Sequence, residues 1–206
     1  LFEHLLNQII ENPNQKVSDL NYLIPSQEIK LLKEWNDTDM DYPEDKLINE
    51  LFEETAEKYP NNIAIVYEEI ELTYKELNEK ANQLSNYLRR TFNIKPDDII
   101  ALCLDKSELM IITILAVWKS GAAYVPMDPN FPDKRIEYIL NDTKSKIIIT
   151  NEIYLNKINN INSTVYATIL IDNNNFLNYI YNEFSKYNTK NDSKCNNLGY
   201  VIYTSG

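Results

Sequence analysis

The residues best suited to chemistry stand at the end of the sequence, where an apolar run (residues 198–203) is followed by Thr204, Ser205 and Gly206. The run is rich in Tyr, Val and Ile, and it predicts a β-strand. Hydroxyl side chains next to a glycine, which tolerates positive φ angles, are typical of the start of a loop that binds phosphate. We therefore predict that these three residues open a phosphate-binding loop.

A complete loop of this kind needs further glycines and usually a lysine, because a row of backbone N–H groups must face the phosphate oxygens. The sequence ends at Gly206 before any such residue, and it opens at Leu1 within an amphipathic pattern that has no initiator Met. We therefore expect this chain to be a piece of a longer protein.

The composition is that of a folded domain and argues against two classes of partner. Of the 206 residues, 44% are hydrophobic, and 20 basic residues stand against 31 acidic ones, for a formal charge of −11. Such a charge disfavours nucleic acids and anionic membranes as partners. The longest apolar stretches, residues 99–104 and 109–117, are shorter than the ~20 residues of a membrane span. No signal peptide opens the chain, so we expect a cytoplasmic protein.

Metal and disulfide chemistry have little support. The two cysteines, Cys103 and Cys195, do not form a disulfide framework, and His4 is the only histidine. His4 has no cysteine or carboxylate at ligand spacing. We therefore predict no metal site and assign no catalytic residue within this sequence.

The elements that must position the terminal residues alternate along the chain. Apolar strands that do not alternate with polar residues are typical of parallel strands covered on both faces. The pattern therefore predicts an α/β fold with a doubly wound, largely parallel sheet, flanking helices and right-handed crossovers. The predicted strands are residues 98–104, 122–126, 146–150 and 165–172, and the predicted helices between them are residues 107–119 and 133–140.

A hairpin and a long helix come before this alternation. Residues 63–67 and 70–73 predict two strands joined by a two-residue turn. Thr73 and Glu76 have the spacing of a capping box, which predicts that a helix begins at Tyr74. An amphipathic helix comes before the hairpin, with its apolar side formed by Leu47, Leu51, Phe52, Ala56 and Tyr59.

The chain divides into three parts by pattern. Residues 1–20 predict an amphipathic helix and then an extended piece at residues 17–20. Residues 21–43 read as a linker with one short helix. Residues 44–206 carry the main domain.

Three motifs can each be explained by structure alone. Residues 72–77 start a capped helix, residues 118–128 make a helix-to-strand turn at Gly121, and residues 198–206 form a strand that ends in a turn. In this order, however, they resemble the first three core motifs of the adenylation domains of nonribosomal peptide synthetases. These domains belong to the adenylate-forming superfamily together with acyl-CoA ligases and luciferases. The departures from the family motifs are Trp118, Ser120, Met127 and Gly199.

The resemblance implies a place within a larger enzyme. Residues 44–206 would form the N-terminal part of the large subdomain of an adenylation domain. Residues 1–20 resemble the end of a condensation domain, and residues 21–43 resemble the linker that joins the two domains. The implied partners are the condensation and carrier domains of the same synthetase.

The resemblance also implies a reaction. The parent enzyme would use ATP and Mg²⁺ to convert an amino acid into an aminoacyl adenylate, and would load it as a thioester on the phosphopantetheine of a carrier domain. Thr204, Ser205 and Gly206 would open the loop that contacts the ATP phosphates. The residues that select the amino acid and the catalytic lysine lie beyond Gly206 in the family pattern. We therefore expect the 206-residue chain alone to be inactive, and its sequence does not identify the amino acid.

Two alternatives remain open. One is an acyl- or aryl-CoA ligase of the same superfamily, against which the condensation-like residues at the start of the chain argue. The other is a non-catalytic scaffold or binding module, which a stop codon directly after Gly206 would favour.

Overall fold

A computed structural model describes residues 1–190 and 192–204, and the chain divides into two compact units, residues 1–43 and 44–206. In the first unit, the Gln8 amide donates a hydrogen bond to the Asn21 carbonyl (2.7 Å) and accepts one from the Asn21 N–H (3.0 Å). These two bonds close the loop after the first helix. The unit contains helix α1 (Phe2–Glu11), a 3₁₀ turn (Val17–Asp19), helix α2 (Pro25–Leu32) and a second 3₁₀ turn (Glu34–Asn36).

The extended conformation predicted for residues 17–20 is wrong, because Val17–Asp19 forms a 3₁₀ turn. The Leu20 N–H donates to the Val17 carbonyl at 3.3 Å. An extended segment satisfies its backbone groups only beside a neighbouring strand. No strand lies within residues 1–43, so the segment makes its own turn bonds.

The second unit confirms the predicted α/β fold. Strands β1 and β2 form an antiparallel hairpin, and the other four strands form a parallel sheet in the order β4-β3-β5-β6. The elements are α3 (Ile48–Lys58), β1 (Ile63–Tyr67), β2 (Ile70–Thr73), α4 (Tyr74–Phe92), β3 (Ile99–Cys103), α5 (Glu108–Ser120), β4 (Ala123–Pro126), α6 (Asp133–Asp142), β5 (Ile147–Thr150), a 3₁₀ turn (Glu152–Tyr154), α7 (Leu155–Asn159), β6 (Ala167–Leu170) and α8 (Asn174–Glu183).

The sheet is buried on both faces, as its continuous apolar strands predict. Along β3, Ile100 and Leu102 pack with helices α4, α5 and α8 on one face. Ala101 and Cys103 alternate with them and pack with α6 and α7 on the other face. Both cysteines are free, and burial raises the pKa of the Cys103 thiol to about 11.

Local signals set the ends of the two central helices. The Thr73 hydroxyl accepts the Glu76 N–H at 3.2 Å, and the Glu76 carboxylate accepts the Thr73 N–H at 2.9 Å, so the predicted capping box is confirmed. These hydrogen bonds hold the pKa of Glu76 below its ordinary value. The carboxyl end of α5 is set by Gly121, whose φ of 95° lies in the left-handed region.

A buried ion pair joins α3 to α5. Only 2% of the Lys119 side chain is exposed, and its ammonium group contacts the Glu53 carboxylate. Burial lowers the pKa of Lys119, whereas Glu53 acts in the opposite direction. The carboxylate therefore offsets part of the desolvation of the ammonium group.

We predict that Glu53→Leu lowers the free energy of unfolding by about 3 kcal/mol, because it removes the carboxylate that compensates a buried cation. The matched control is Glu54→Leu on the same helix, which breaks only the exposed pair with Lys46. For that control we expect a much smaller loss, because an exposed ion pair contributes little to stability. Urea unfolding of both variants measures the difference, and equal losses would contradict the assigned role.

Candidate functional site

The carboxyl ends of the parallel strands form one edge of the sheet, which we call the carboxyl edge. Helix α5 follows β3 onto one face, whereas α6 follows β4 onto the other. Where neighbouring connections diverge in this way, an open α/β sheet has a crevice that commonly binds ligands. Here the crevice is a groove of about 460 Å³ between the two loops, with Asp105, Lys106, Asp128 and Asn130 among its lining residues.

Hydrogen bonds close the neighbouring boundary, between β3 and β5. The Asn151 side chain accepts the Asp105 N–H at 2.9 Å, and the Tyr154 hydroxyl donates to the Asp105 carboxylate at 2.8 Å. The second bond is the main reason that the pKa of Tyr154 is raised. The Asn151 amide also reaches Asp172, after β6, at 3.3 Å. Asp105 is therefore held in place at the wall of the groove.

Lys157 holds the loop after β4 in place by hydrogen bonds to the loop backbone. Its ammonium group donates to the carbonyls of Pro129 (2.7 Å) and Phe131 (2.6 Å). Within the loop, the Asp128 carboxylate accepts the Asn130 N–H at 2.8 Å. Both walls of the groove are thus positioned by side chains from β5–α7, which sequence reasoning had not singled out.

The residues before Thr204 dock along the outer side of β4. Tyr200 pairs with Tyr124 in a parallel bridge. The Tyr124 N–H donates to the Gly199 carbonyl at 3.4 Å, and the Tyr124 carbonyl accepts the Val201 N–H at 2.9 Å. The Trp118 indole N–H also donates to the Gly199 carbonyl, at 2.8 Å.

The strand predicted for residues 198–203 is therefore wrong in extent, because only one isolated bridge forms. In a parallel ladder, the next bond would run from the N–H of residue 126 to the Val201 carbonyl. Residue 126 is a proline and has no N–H to donate. The ladder accordingly stops after Val201.

Beyond Val201, side-chain contacts attach the chain to the rest of the domain. The Tyr203 hydroxyl contacts the Asp142 carboxylate, and its ring lies edge-on to Tyr138, with centroids 6.1 Å apart. The Arg135 guanidinium lies 5.7 Å from the centre of the same ring. Burial and the bond to Asp142 raise the pKa of Tyr203 to about 12. Tyr203 thereby attaches the end of the chain to α6.

Of the predicted phosphate loop, the structure places only Thr204, which is exposed. Because Tyr200 pairs with Tyr124 in a parallel register, Thr204 follows in the direction of the carboxyl edge. Ser205 and Gly206 lie outside the described residues.

The carboxyl edge offers a hydroxyl, carboxylates, amides and the ammonium group of Lys106, which together can bind and orient a polar ligand. Across residues 1–190 and 192–204, no three His, Cys, Asp or Glu side chains form a cluster that could hold a metal ion. Within the same ranges, no helix is long and apolar enough to cross a membrane. Asp105, Asp128 and Asn151 were missed from the sequence, although each stands just after an apolar strand.

Comparison with known proteins places residues 52–206 within the sequence model of the family described as AMP-binding enzyme. The chain is 41% identical over 202 residues to the N-(5-amino-5-carboxypentanoyl)-L-cysteinyl-D-valine synthase of Amycolatopsis lactamdurans. That alignment covers 98% of this chain and 5% of the synthase. The chain therefore spans only a small part of this relative.

Two solved structures share the fold. The AMPPNP-bound nonribosomal peptide synthetase FmoA3 has a TM-score of 0.74 at 23% identity, covering 99% of this chain and 22% of that one. A fatty acyl CoA synthetase of Mycobacterium tuberculosis has a TM-score of 0.69 at 21% identity, covering 79% of this chain and 33% of that one.

We predict that Asp97→Gly releases the terminal residues from β4. The Asp97 carboxylate accepts the Leu198 N–H (2.8 Å) and the Asn197 amide (2.9 Å). Glycine also suits the φ of 68° at this position, so the variant removes the carboxylate without adding backbone strain. In a Trp35→Phe background, Trp118 fluorescence should shift to the red and become easier to quench with acrylamide.

The control for this measurement is Asp39→Gly, an exposed position in the first unit. Its spectrum should match that of the parent. An unchanged Trp118 spectrum in Asp97→Gly would show that the carboxylate does not hold the terminal residues.

Proposed function

This chain belongs to the AMP-binding enzyme family, and we propose that it is the N-terminal part of an adenylation domain in a nonribosomal peptide synthetase. The observation that carries the proposal is the 41% identity to a peptide synthase over 98% of the chain. The match extends ahead of residue 52, where the family model begins.

The proposed reaction activates an amino acid in two steps. A carboxylate oxygen of the amino acid attacks the α-phosphorus of ATP, the bond to the β-phosphate breaks, and pyrophosphate leaves. The thiol of a phosphopantetheine arm on a carrier domain then attacks the acyl carbon, and AMP leaves. Both steps depend mainly on positioning the reactants and on stabilising phosphate charge.

The described residues fit part of this task. Thr204 would donate its hydroxyl to a phosphate oxygen, and Tyr203 would hold it in place through α6. Mg²⁺ is usually bound by one or two carboxylates together with substrate phosphates. The carboxylates of the groove would therefore bind Mg²⁺ only when the ATP phosphates supply further ligands. Bound Mg²⁺ would neutralise phosphate charge. Ser205 and Gly206 are proposed to continue the phosphate loop.

The first unit supports a synthetase over a free-standing ligase. The alignment with the peptide synthase of Amycolatopsis lactamdurans covers 98% of this chain, so it runs through most of the first unit. We propose that residues 1–20 end a condensation domain and that residues 21–43 link it to the adenylation domain. The condensation and carrier domains of the same polypeptide would then be the partners.

The test is amino-acid-dependent exchange of pyrophosphate into ATP by the natural full-length protein that carries this chain. We expect exchange with one or a few amino acids, and none by the 206-residue chain alone. Exchange with fatty or aryl acids, followed by release of acyl-CoA, would establish the ligase alternative. Absence of exchange across the amino acids and these acids would favour the non-catalytic scaffold.

We predict that Thr204→Val in the full-length protein lowers kcat/KM for ATP by about ten- to a hundredfold, since a hydrogen bond to a charged group contributes roughly 1.5–3 kcal/mol. Thr204→Ser retains the hydroxyl and should restore most of the activity. Thr38→Val, at an exposed position of the first unit, is the control. Equal kinetics of the Thr204→Val and Thr38→Val variants would exclude Thr204 from the phosphate loop.

A further inference from the structure

A second cavity lies at the opposite edge of the sheet, where β3 and β5 begin. It measures about 320 Å³, and we call it the amino-edge cavity. It is separate from the carboxyl edge, so the following inference does not rest on the proposed function. We call its apolar lining, which includes Phe92, the floor, and its charged lining (Lys95, Asp98, Lys144, Lys146) the rim; Tyr166 forms one wall.

The floor and one wall of the amino-edge cavity suit an apolar or aromatic group. The rings of Phe92 and Tyr166 are 6.5 Å apart and inclined by 52°. Tyr166 is 64% exposed, although its backbone N–H is bonded to the Lys146 carbonyl at 2.9 Å. A large aromatic ring thus stands open to solvent beside a lysine.

The rim carries positive charge in an otherwise acidic chain. Three lysines (Lys95, Lys144, Lys146) and one aspartate line the cavity, whereas the chain as a whole carries −11. The carboxylate of that aspartate, Asp98, already accepts the Lys95 backbone N–H at 2.7 Å. Within the part of the chain that the structure describes, none of the three lysine side chains forms an ion pair. The rim therefore leaves about two positive charges uncompensated.

Lys144 occupies a position that favours glycine. The turn after α6 has the same hydrogen bonds as the turn after α5, from residue 144 to residue 141 (3.3 Å) and from residue 145 to residue 140 (3.1 Å). After α5 the left-handed residue is Gly121, whereas after α6 it is Lys144, with φ of 52°. A left-handed lysine is uncommon and strained, and a glycine would form the same turn without that strain.

We propose that the amino-edge cavity binds a phosphate monoester carried on an apolar or aromatic body. A phosphate monoester bears roughly −1.5 to −2 charges near neutral pH, which matches the uncompensated charge of the rim. Its body would lie on the apolar floor against Phe92 and Tyr166. A cavity of about 320 Å³ is at the small end of ligand sites, which limits the body to about the size of one aromatic ring.

The test is isothermal titration calorimetry of the natural full-length protein that carries this chain with phenyl phosphate, inorganic phosphate, phenylacetate and phenol. We expect phenyl phosphate to bind most tightly, because only it combines a dianion with an aromatic body. Raising the NaCl concentration should weaken that binding. Phenol or inorganic phosphate binding as tightly as phenyl phosphate, or no binding of phenyl phosphate, would overturn the proposal.

Two variants locate the site. Lys95→Gln with Lys146→Gln should weaken phenyl phosphate binding on the order of tenfold or more, whereas Lys16→Gln with Lys33→Gln removes the same charge from the first unit and should not. Lys144→Gly should weaken binding but keep or raise the melting temperature, because glycine relieves the left-handed strain. This opposite response separates a lost ligand contact from a damaged fold. Unchanged affinity in the Lys95/Lys146 double variant, or in Lys144→Gly, would overturn the assigned site.

Discussion

The burial of β3 on both faces is the constraint on which the rest of the second unit depends. Ala101 and Cys103 face one helical layer, and Ile100 and Leu102 face the other. A parallel strand buried in this way needs a helix on each side, so α5 and α6 must cross to opposite faces. That crossing opens the groove between β3 and β4. The position of the candidate site therefore follows from the apolar composition of one strand.

The two edges of the sheet carry different chemistry because different parts of the chain meet there. At the carboxyl edge, loops leave the strands, and their side chains are held by bonds such as that between Tyr154 and Asp105. At the amino edge, helices end and strands begin, which brings lysines around an apolar floor. One sheet thus presents a groove walled by carboxylates and amides at one end and a basic cavity at the other.

The terminal residues are attached first by backbone hydrogen bonds and then by side-chain contacts, and one proline marks the change. Pro126 ends the ladder between β4 and residues 199–201, since it has no N–H. Tyr203 then continues the attachment through its contacts with α6. In the proposed synthetase, a phosphate loop that starts at Thr204 would be joined to the sheet by a side-chain anchor and not by a continuous strand.

The sequence by itself determined the fold class, the hairpin, the capping box at Thr73 and the glycine turn at Gly121, because each depends on residues close together in the chain. It did not determine the extent of the last strand or the turn at Val17–Asp19, since both depend on whether a neighbouring strand can pair. Nor did it show the bond from the Asp105 N–H to the Asn151 side chain or the lysines around the amino-edge cavity. Those residues are far apart in the chain, and only the parallel packing of β3 and β5 brings them together.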